Sequence, residues 1–121
     1  MRSKRRHPEQ AIHRAVIEHL KARCVPGVVY LHPANGGARS TIAGKIFKSL
    51  GVVPGAPDLL LWHAGKSFAL DLKADDGRLS RAQIDVLGRL MAAGVATAVC
   101  HGINEAVTCL EEWRLLRGGI Q

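Results

Sequence analysis

Two aspartates and a lysine lie in neighbouring apolar segments. A site built from these residue types can hydrolyse phosphodiesters. Asp58 comes directly before the apolar run 59–61. The next run, 68–73, contains Asp71 and ends in Lys73. Because side chains alternate along a strand, Asp71 and Lys73 lie on the same face, and a turn between the runs would bring Asp58 beside them. Carboxylate oxygens hold hard divalent cations, and a neighbouring ammonium can act on an attacking water.

An ordinary structural explanation of the same residues stays open. An Asp-x-Lys sequence on a strand is more often a solvated face with a cross-strand ion pair, and short motif matches carry a high false-positive risk. Here, however, Asp71 and Lys73 lie in the most apolar part of the chain. An unpaired charge costs roughly several kcal/mol in such surroundings. A metal site would compensate that cost, and so would a structural ion pair.

Composition indicates one ordinary globular domain spanning 1–121. The chain is 47% apolar and 22% charged, which suffices for a single core at this length. It has no run of about 18 apolar residues, so we expect no transmembrane helix. The basic segment 1–7 lacks the apolar core of a signal peptide and is expected to be a flexible tail. Three cysteines without Cys-x-x-Cys spacing predict reduced thiols in a cytoplasmic protein.

Charge is distributed unevenly along the chain. Residues 1–50 contain ten Lys/Arg and two acidic residues, a balance of +8. Residues 51–121 contain seven Lys/Arg and eight acidic residues, a balance of −1. The first half therefore offers a surface for a polyanion such as nucleic acid, whereas the acids gather in the half that holds the candidate site. The positive charge of the first half would also be explained by a role in keeping the protein soluble.

Periodicity and turn residues predict an α/β fold in which helices flank a central mixed β-sheet. The predicted helices are 8–23, 40–50, 80–93 and 103–116, and the predicted strands are 28–32, the two site-bearing runs and 95–100. The long crossover from Lys73 to the last strand predicts a parallel pair.

The helix at 80–93 has a clear start signal. Ser80 suits the N-cap and Gln83 completes a capping box. Leu79 is expected to pack on Ile84 as a hydrophobic staple. The residues of this helix predicted to face inward are Ile84, Leu87, Leu90 and Met91. The capping box alone is enough to account for Gln83.

Five short motifs surround the candidate site. In chain order they are Glu9-Gln10, Asn35-Gly36-Gly37, Gly55-Ala56-Pro57-Asp58, Asp71-Leu72-Lys73 and Leu79-Ser80-Arg81-Ala82-Gln83. With these motifs the chain resembles the VRR-NUC branch of the PD-(D/E)xK nuclease superfamily, from about Glu9 to Val99. It looks like the bacterial and phage members that carry no other domain. The resemblance implies a restriction-endonuclease-like fold.

The resemblance also implies a site for Mg²⁺ or Mn²⁺. Asp58 and Asp71 would be ligands, with the main-chain carbonyl of Leu72 as a further oxygen ligand and Glu9 as a carboxylate from the first helix. Glu9 has an alternative explanation, because an acid at a helix start compensates the helix dipole. The family usually has Glu where this chain has Asp71, and we expect the shorter side chain to alter metal preference or rate.

Further roles are implied for Lys73 and Gln83. Lys73 would orient or deprotonate the attacking water and stabilise the pentavalent phosphate. Gln83 would support the lysine or the water. Four basic residues are expected to contact DNA phosphates, namely Arg39, Lys45, Lys48 and Arg78.

Together these features predict a metal-dependent DNA endonuclease. The resemblance implies a cytoplasmic homodimer, in a bacterial or phage-infected cell, that cuts branched DNA such as four-way junctions. Three alternatives stay open: a DNA-binding module that keeps the fold without activity, a nuclease with restriction-like or single-strand specificity, and a basic structural protein with a chance motif.

Overall fold

The computed structural model describes residues 8–33 and 41–118, with only the backbone of residues 41 and 42. These residues form four helices and four strands: α1 (Pro8–Arg23), β1 (Val29–Leu31), α2 (Thr41–Ser49), β2 (Leu59–His63), β3 (Lys66–Lys73), α3 (Arg81–Ala92), β4 (Ala96–His101) and α4 (Ile103–Glu112). The predicted tail 1–7, the loop motif 35–37 and Arg39 lie outside the described residues. Within the described ranges, no helix is long and apolar enough to cross a membrane.

The described strands form one mixed sheet in the order β1-β2-β3-β4. The β1–β2 and β2–β3 pairs are antiparallel, and the β3–β4 pair is parallel. Ala64 and Gly65 connect β2 to β3, and both have positive φ, 52° and 81°, as a two-residue type I′ hairpin turn requires. The α/β architecture, with its parallel β3–β4 crossover, is thereby confirmed.

The main core lies on the sheet face that α1 and α4 cover. Its buried residues include Leu59, Leu61, Phe68, Leu70, Leu72, Val16, Leu20, Ala106 and Leu110. Because β3 contributes Phe68, Leu70 and Leu72 to this core, the alternating residues Asp71 and Lys73 are directed to the opposite face. Both are nonetheless buried, with exposed fractions of 0% and 8%.

The buried face of helix α3 matches the predicted one only in part, because Leu87 is buried as predicted. Ile84 and Met91 are exposed, at 57% and 61%, whereas Val86 and Leu87 are buried. The prediction for Ile84 and Met91 was wrong because the apolar positions allow two overlapping helix faces, and packing against β4 selects the one centred on Val86 and Leu87. The staple between Leu79 and Ile84 stays a prediction.

Helix α4 ends at Glu112, four residues before the predicted end. Arg114 adopts a φ of 65°, and the N–H of Leu115 donates to the Leu110 carbonyl. The chain then turns back, so that Leu115 and Leu116 are buried and Leu116 forms an isolated bridge with Cys24. Burial of two leucines in a turned segment therefore replaces the last predicted helical turn.

Candidate active site

Two hydrogen bonds from main-chain N–H groups hold the Asp58 and Asp71 carboxylates side by side. The N–H of Leu72 donates to Asp58 Oδ2 at 2.8 Å, and the N–H of Asp58 donates to Asp71 Oδ1 at 3.2 Å. The register of the hairpin explains this arrangement, because Leu59 pairs with Leu70 and the next positions along both strands are the two aspartates. The structure therefore brings the two predicted carboxylates together.

The environment of Asp71 is that of a carboxylate without its full set of partners. Its side chain is fully buried, and Oδ2 has no hydrogen-bond partner within the described part of the chain. Burial, and next the charge of Asp58, raise the pKa of Asp71 to about 7, although the Asp58 N–H and the charge of Lys73 act in the opposite direction. A divalent cation would provide both the missing contact and the missing positive charge.

Lys73 contacts Glu9 on the first helix. The Lys73 Nζ lies 3.9 Å from Glu9 Oε1, and the N–H of Ala74 donates to Glu9 Oε2 at 3.4 Å. A Cβ on Gly77 would lie 3.0 Å from Glu9 Oε2, so the glycine leaves the space that this carboxylate occupies. Glu9 is thus placed beside Lys73, which lies two residues after Asp71 on the same strand.

The Asp58 and Asp71 carboxylates supply oxygen donors, the type of ligand that a hard cation prefers. No group of three or more His, Cys, Asp or Glu side chains in the described ranges could by itself hold a metal ion. Two carboxylates and a main-chain carbonyl suit Mg²⁺, which keeps several waters and commonly shares substrate phosphate oxygens. The buried Asp71 Oδ2 without a partner is the observation that favours such an ion here.

Gly55 connects the Asp58 segment to the first turn of α3. Its φ is 85°, and a Cβ there would lie 2.5 Å from the carbonyl carbon of Ala82 and 2.8 Å from the nitrogen of Gln83. Both the conformation and the close approach therefore require glycine. The loop that carries Asp58 is held against α3 by this contact.

Replacing Gly55 with alanine is expected to destabilise the fold by roughly 1–3 kcal/mol more than the same change at Gly51. Gly51 is a matched control, because its φ is 92° but a Cβ there would meet no atom within 4 Å. Urea denaturation of both variants measures the difference. Equal losses in the two variants would show that the loop does not depend on this contact.

Gln83 takes part in the cap of α3, whereas the predicted DNA-contacting residues in the described part of the chain are exposed. The N–H of Gln83 donates to Ser80 Oγ at 3.1 Å, and Gln83 Oε1 accepts from the Ser80 N–H at 2.8 Å, which confirms the capping box. No hydrogen bond of the described residues joins Gln83 to Lys73, so its catalytic role stays a prediction. Lys45, Lys48 and Arg78 are exposed, and Arg39 lies outside the described residues.

Two histidines adjoin Asp58 without having been predicted as site residues. His32 Nδ1 donates to the main-chain carbonyl of Asp58 at 2.7 Å. The rings of His13 and His32 meet edge to face, with centroids 4.5 Å apart. Burial, and next the His32 ring, lower the pKa of His13, whereas Asp58 raises it. The usable signal was the four-residue spacing of Glu9 and His13, which places both on one helix face.

Comparisons with known proteins agree with this architecture. No family sequence model and no curated protein matches the chain. The chain is similar to the solved structure of a VRR_NUC domain protein, with a TM-score of 0.70, 22% identity, and coverage of 93% of this chain and 95% of that one. A second VRR_NUC domain structure gives a TM-score of 0.57 and 20% identity, covering 86% of this chain and 94% of that one. At these identities the likeness shows the fold, which this chain shares with the two VRR_NUC domain structures.

Proposed function

We propose that the chain is a divalent-cation-dependent deoxyribonuclease. The observation that carries this proposal is the fully buried Asp71, whose Oδ2 has no partner in the described ranges although Asp58 and Lys73 lie beside it. A structural ion pair would have placed a cation against that oxygen. Lys73 Nζ instead lies near Glu9. The arrangement suits a carboxylate that receives its partner from solution.

Asp58, Asp71 and the Leu72 carbonyl are the proposed ligands for Mg²⁺ or Mn²⁺, with Glu9 as a further carboxylate at the edge of the site. When bound, the cation neutralises charge that develops on the phosphate oxygens. The main-chain N–H groups of Leu72 and Asp58 hold Asp58 Oδ2 and Asp71 Oδ1 in place before the cation binds. Such preorganisation reduces the reorganisation needed during the reaction.

Lys73 is proposed to act on the water and the phosphate. Hydrolysis forms a bond from the water oxygen to phosphorus and breaks the bond to the leaving oxygen. The Lys73 ammonium orients that water and stabilises the pentavalent phosphate, and the Glu9 carboxylate 3.9 Å away holds the ammonium in position. Glu9 is only partly buried, so it can also pass a proton from the water to the solvent.

The remaining predicted residues are proposed to hold the substrate. Lys45, Lys48 and Arg78 are exposed cations that can contact backbone phosphates. Gln83 uses its amide oxygen in the capping box. Its amide nitrogen has no hydrogen-bond partner in the described part of the chain, which leaves it for a water or a phosphate oxygen.

A homodimer that acts on branched DNA is the assembly we propose, because a junction presents two strands to be cut. An exposed apolar group on neighbouring positions of β1 and β2 supports a second copy as partner. Val29 pairs with Trp62 in the sheet, and Val29, Leu31 and Trp62 are 57%, 45% and 38% exposed. Sedimentation velocity tests this part of the proposal.

The three cysteines are free, which supports a cytoplasmic setting.

Cleavage of a set of labelled DNA substrates tests the proposed function. Linear duplex, single strand, flap and four-way junction are incubated with Mg²⁺, Mn²⁺ or EDTA. We expect metal-dependent cutting with the highest rate on the junction. If linear duplex or single strand is cut fastest, the specificity is restriction-like or single-strand and is not for junctions. Tight binding without cutting under any metal would favour a DNA-binding module that keeps the fold.

A further inference from the structure

A cavity of about 470 Å³ opens beside Asp58. It is lined by Glu9, Gln10, His13, Arg14, His32 and Asp58. Asp58 and Glu9 are proposed ligands, so the cavity adjoins the place where the phosphate to be cut would lie. The other four lining residues have no part in the cation site. Gln10, His13 and His32 can each donate or accept a hydrogen bond, whereas Arg14 only donates and carries a positive charge, so Arg14 is the residue that favours an anion in the cavity.

Four of the six lining residues lie on helix α1, where their side chains form two neighbouring rows. Glu9 and His13 are four residues apart, and so are Gln10 and Arg14. Residues with this spacing lie one above the other on a helix. The acidic member Glu9 is at the end near Lys73, and Arg14 lies more than one helical turn further along. The α1 wall of the cavity is therefore acidic at Glu9 and basic at Arg14.

Arg14 is exposed and forms no hydrogen bond or ion pair with the described part of the chain. A guanidinium presents a planar set of donors that matches two oxygens of one phosphate. An unpaired arginine on a cavity wall can make this contact without first breaking another one. The other arginine in the described part of α1, Arg23, is already engaged with Glu111 and the Arg117 carbonyl.

The histidine pair forms a wall of the cavity that is held to the Asp58 segment by a hydrogen bond. The Asp58 carbonyl can only accept, so His32 Nδ1 carries the hydrogen in their 2.7 Å contact, and this contact sets the plane of the His32 ring. His13 packs edge to face against that ring. The wall is thus connected to the main chain of a proposed cation ligand, and its position relative to the cation site is set before DNA binds.

We infer that this cavity binds a phosphate adjacent to the scissile phosphate on the same DNA strand, with Arg14 as the charged contact and the His13–His32 pair as its wall. The inference rests on the proposed nuclease function and adds a subsite to it. A phosphate held there would fix the register of the strand, so that the neighbouring phosphodiester lies over Asp58 and Asp71. Arg14 acts on binding and alignment, at a distance from the bond that is broken.

Neutral methylphosphonate linkages, placed one at a time around the cleavage site, test the subsite in the full chain. In the wild type we expect one flanking position at which the neutral linkage reduces cleavage by roughly 10- to 100-fold, since a charge-assisted hydrogen bond is lost. Arg14→Ala should reduce cleavage of the unmodified strand by a similar factor. In that variant the same neutral linkage should cause no further loss. Lys21→Ala, which removes an exposed cation from the same helix, should leave the rate and the pattern unchanged.

Independent losses would overturn the inference. If Arg14→Ala and each neutral linkage reduce cleavage by factors that simply multiply, no phosphate in the scanned region contacts Arg14. If the wild type cuts no DNA, the proposed function has failed, and the same variants and strands are compared by fluorescence anisotropy. If Arg14→Ala and one neutral linkage then weaken DNA binding no more together than either does alone, the subsite is retained. If their effects on the dissociation constant simply multiply, the subsite is excluded as well.

Discussion

Replacing Lys73 with methionine is expected to reduce the single-turnover rate of DNA cleavage by roughly 10²- to 10⁴-fold, because the variant loses the ammonium that orients the water and stabilises the transition state. Methionine keeps most of the length of the side chain, which matters because Lys73 is only 8% exposed. Folding should therefore be retained. The rate is measured at saturating protein with a labelled strand.

Lys66→Met provides the matched control for this variant. Lys66 lies at the other end of the same strand and is exposed, so the same substitution there removes a charge without touching the site. We expect Lys66→Met to cut at nearly the wild-type rate. A Lys73→Met protein that cuts as fast as the control would exclude Lys73 from catalysis and return the Asp-x-Lys motif to a structural role.

Asp71→Asn should stabilise the fold near pH 8 in the presence of a chelator, by up to about 4 kcal/mol. The pKa of Asp71 is about 7 in the folded chain, against 3.8 as the ordinary value. The protonated form is thus favoured by folding, so the contribution of Asp71 to stability is largest below pH 3.8, falls as the pH rises towards 7 and stays low above that. Asparagine carries no charge at any of these pH values and keeps an acceptor for the Asp58 N–H.

Urea denaturation at pH 5 and pH 8, in EDTA and in Mg²⁺, measures this effect. Without the cation, the advantage of Asp71→Asn should be larger at pH 8 than at pH 5. Added Mg²⁺ should stabilise the wild type but not the variant, which should also cut no DNA. Asp85→Asn is the control, since Asp85 is a surface residue paired with Arg89. An Asp71→Asn protein less stable than the wild type at pH 8 in EDTA would contradict the account of this carboxylate.

The arrangement of the main site was predictable because it depends on local rules. Strand alternation places Asp71 and Lys73 on one face, and the short turn at Ala64 and Gly65 fixes the register that brings Asp58 opposite. A one-residue slip would have sent these side chains to the core face. The aspartate pair is therefore a consequence of hairpin geometry that the sequence already contains.

Features that depend on tertiary packing could not be predicted in the same way. The apolar residues of α3 allow more than one inward face, and contact with β4 decides that Val86 is buried and Ile84 is not. The contact of His32 with the Asp58 carbonyl joins residues 26 apart in the chain. No local spacing indicates that contact, although the helical spacing of Glu9 and His13 was available. The close approach of Gly55 to Ala82 likewise appears only once α3 is placed.

Titration of Mg²⁺ or Mn²⁺ into chelator-treated wild-type protein, with thermal unfolding and DNA cleavage followed in parallel samples, decides whether a cation at Asp71 is required for cleavage. We expect the unfolding temperature and the cleavage rate to rise over the same range of cation concentration. Neither should change in the Asp71→Asn protein, and only cleavage should be lost in Lys73→Met. Cleavage that continues undiminished in excess EDTA, or DNA binding without cleavage at every cation concentration, would show that the chain is not a cation-dependent nuclease.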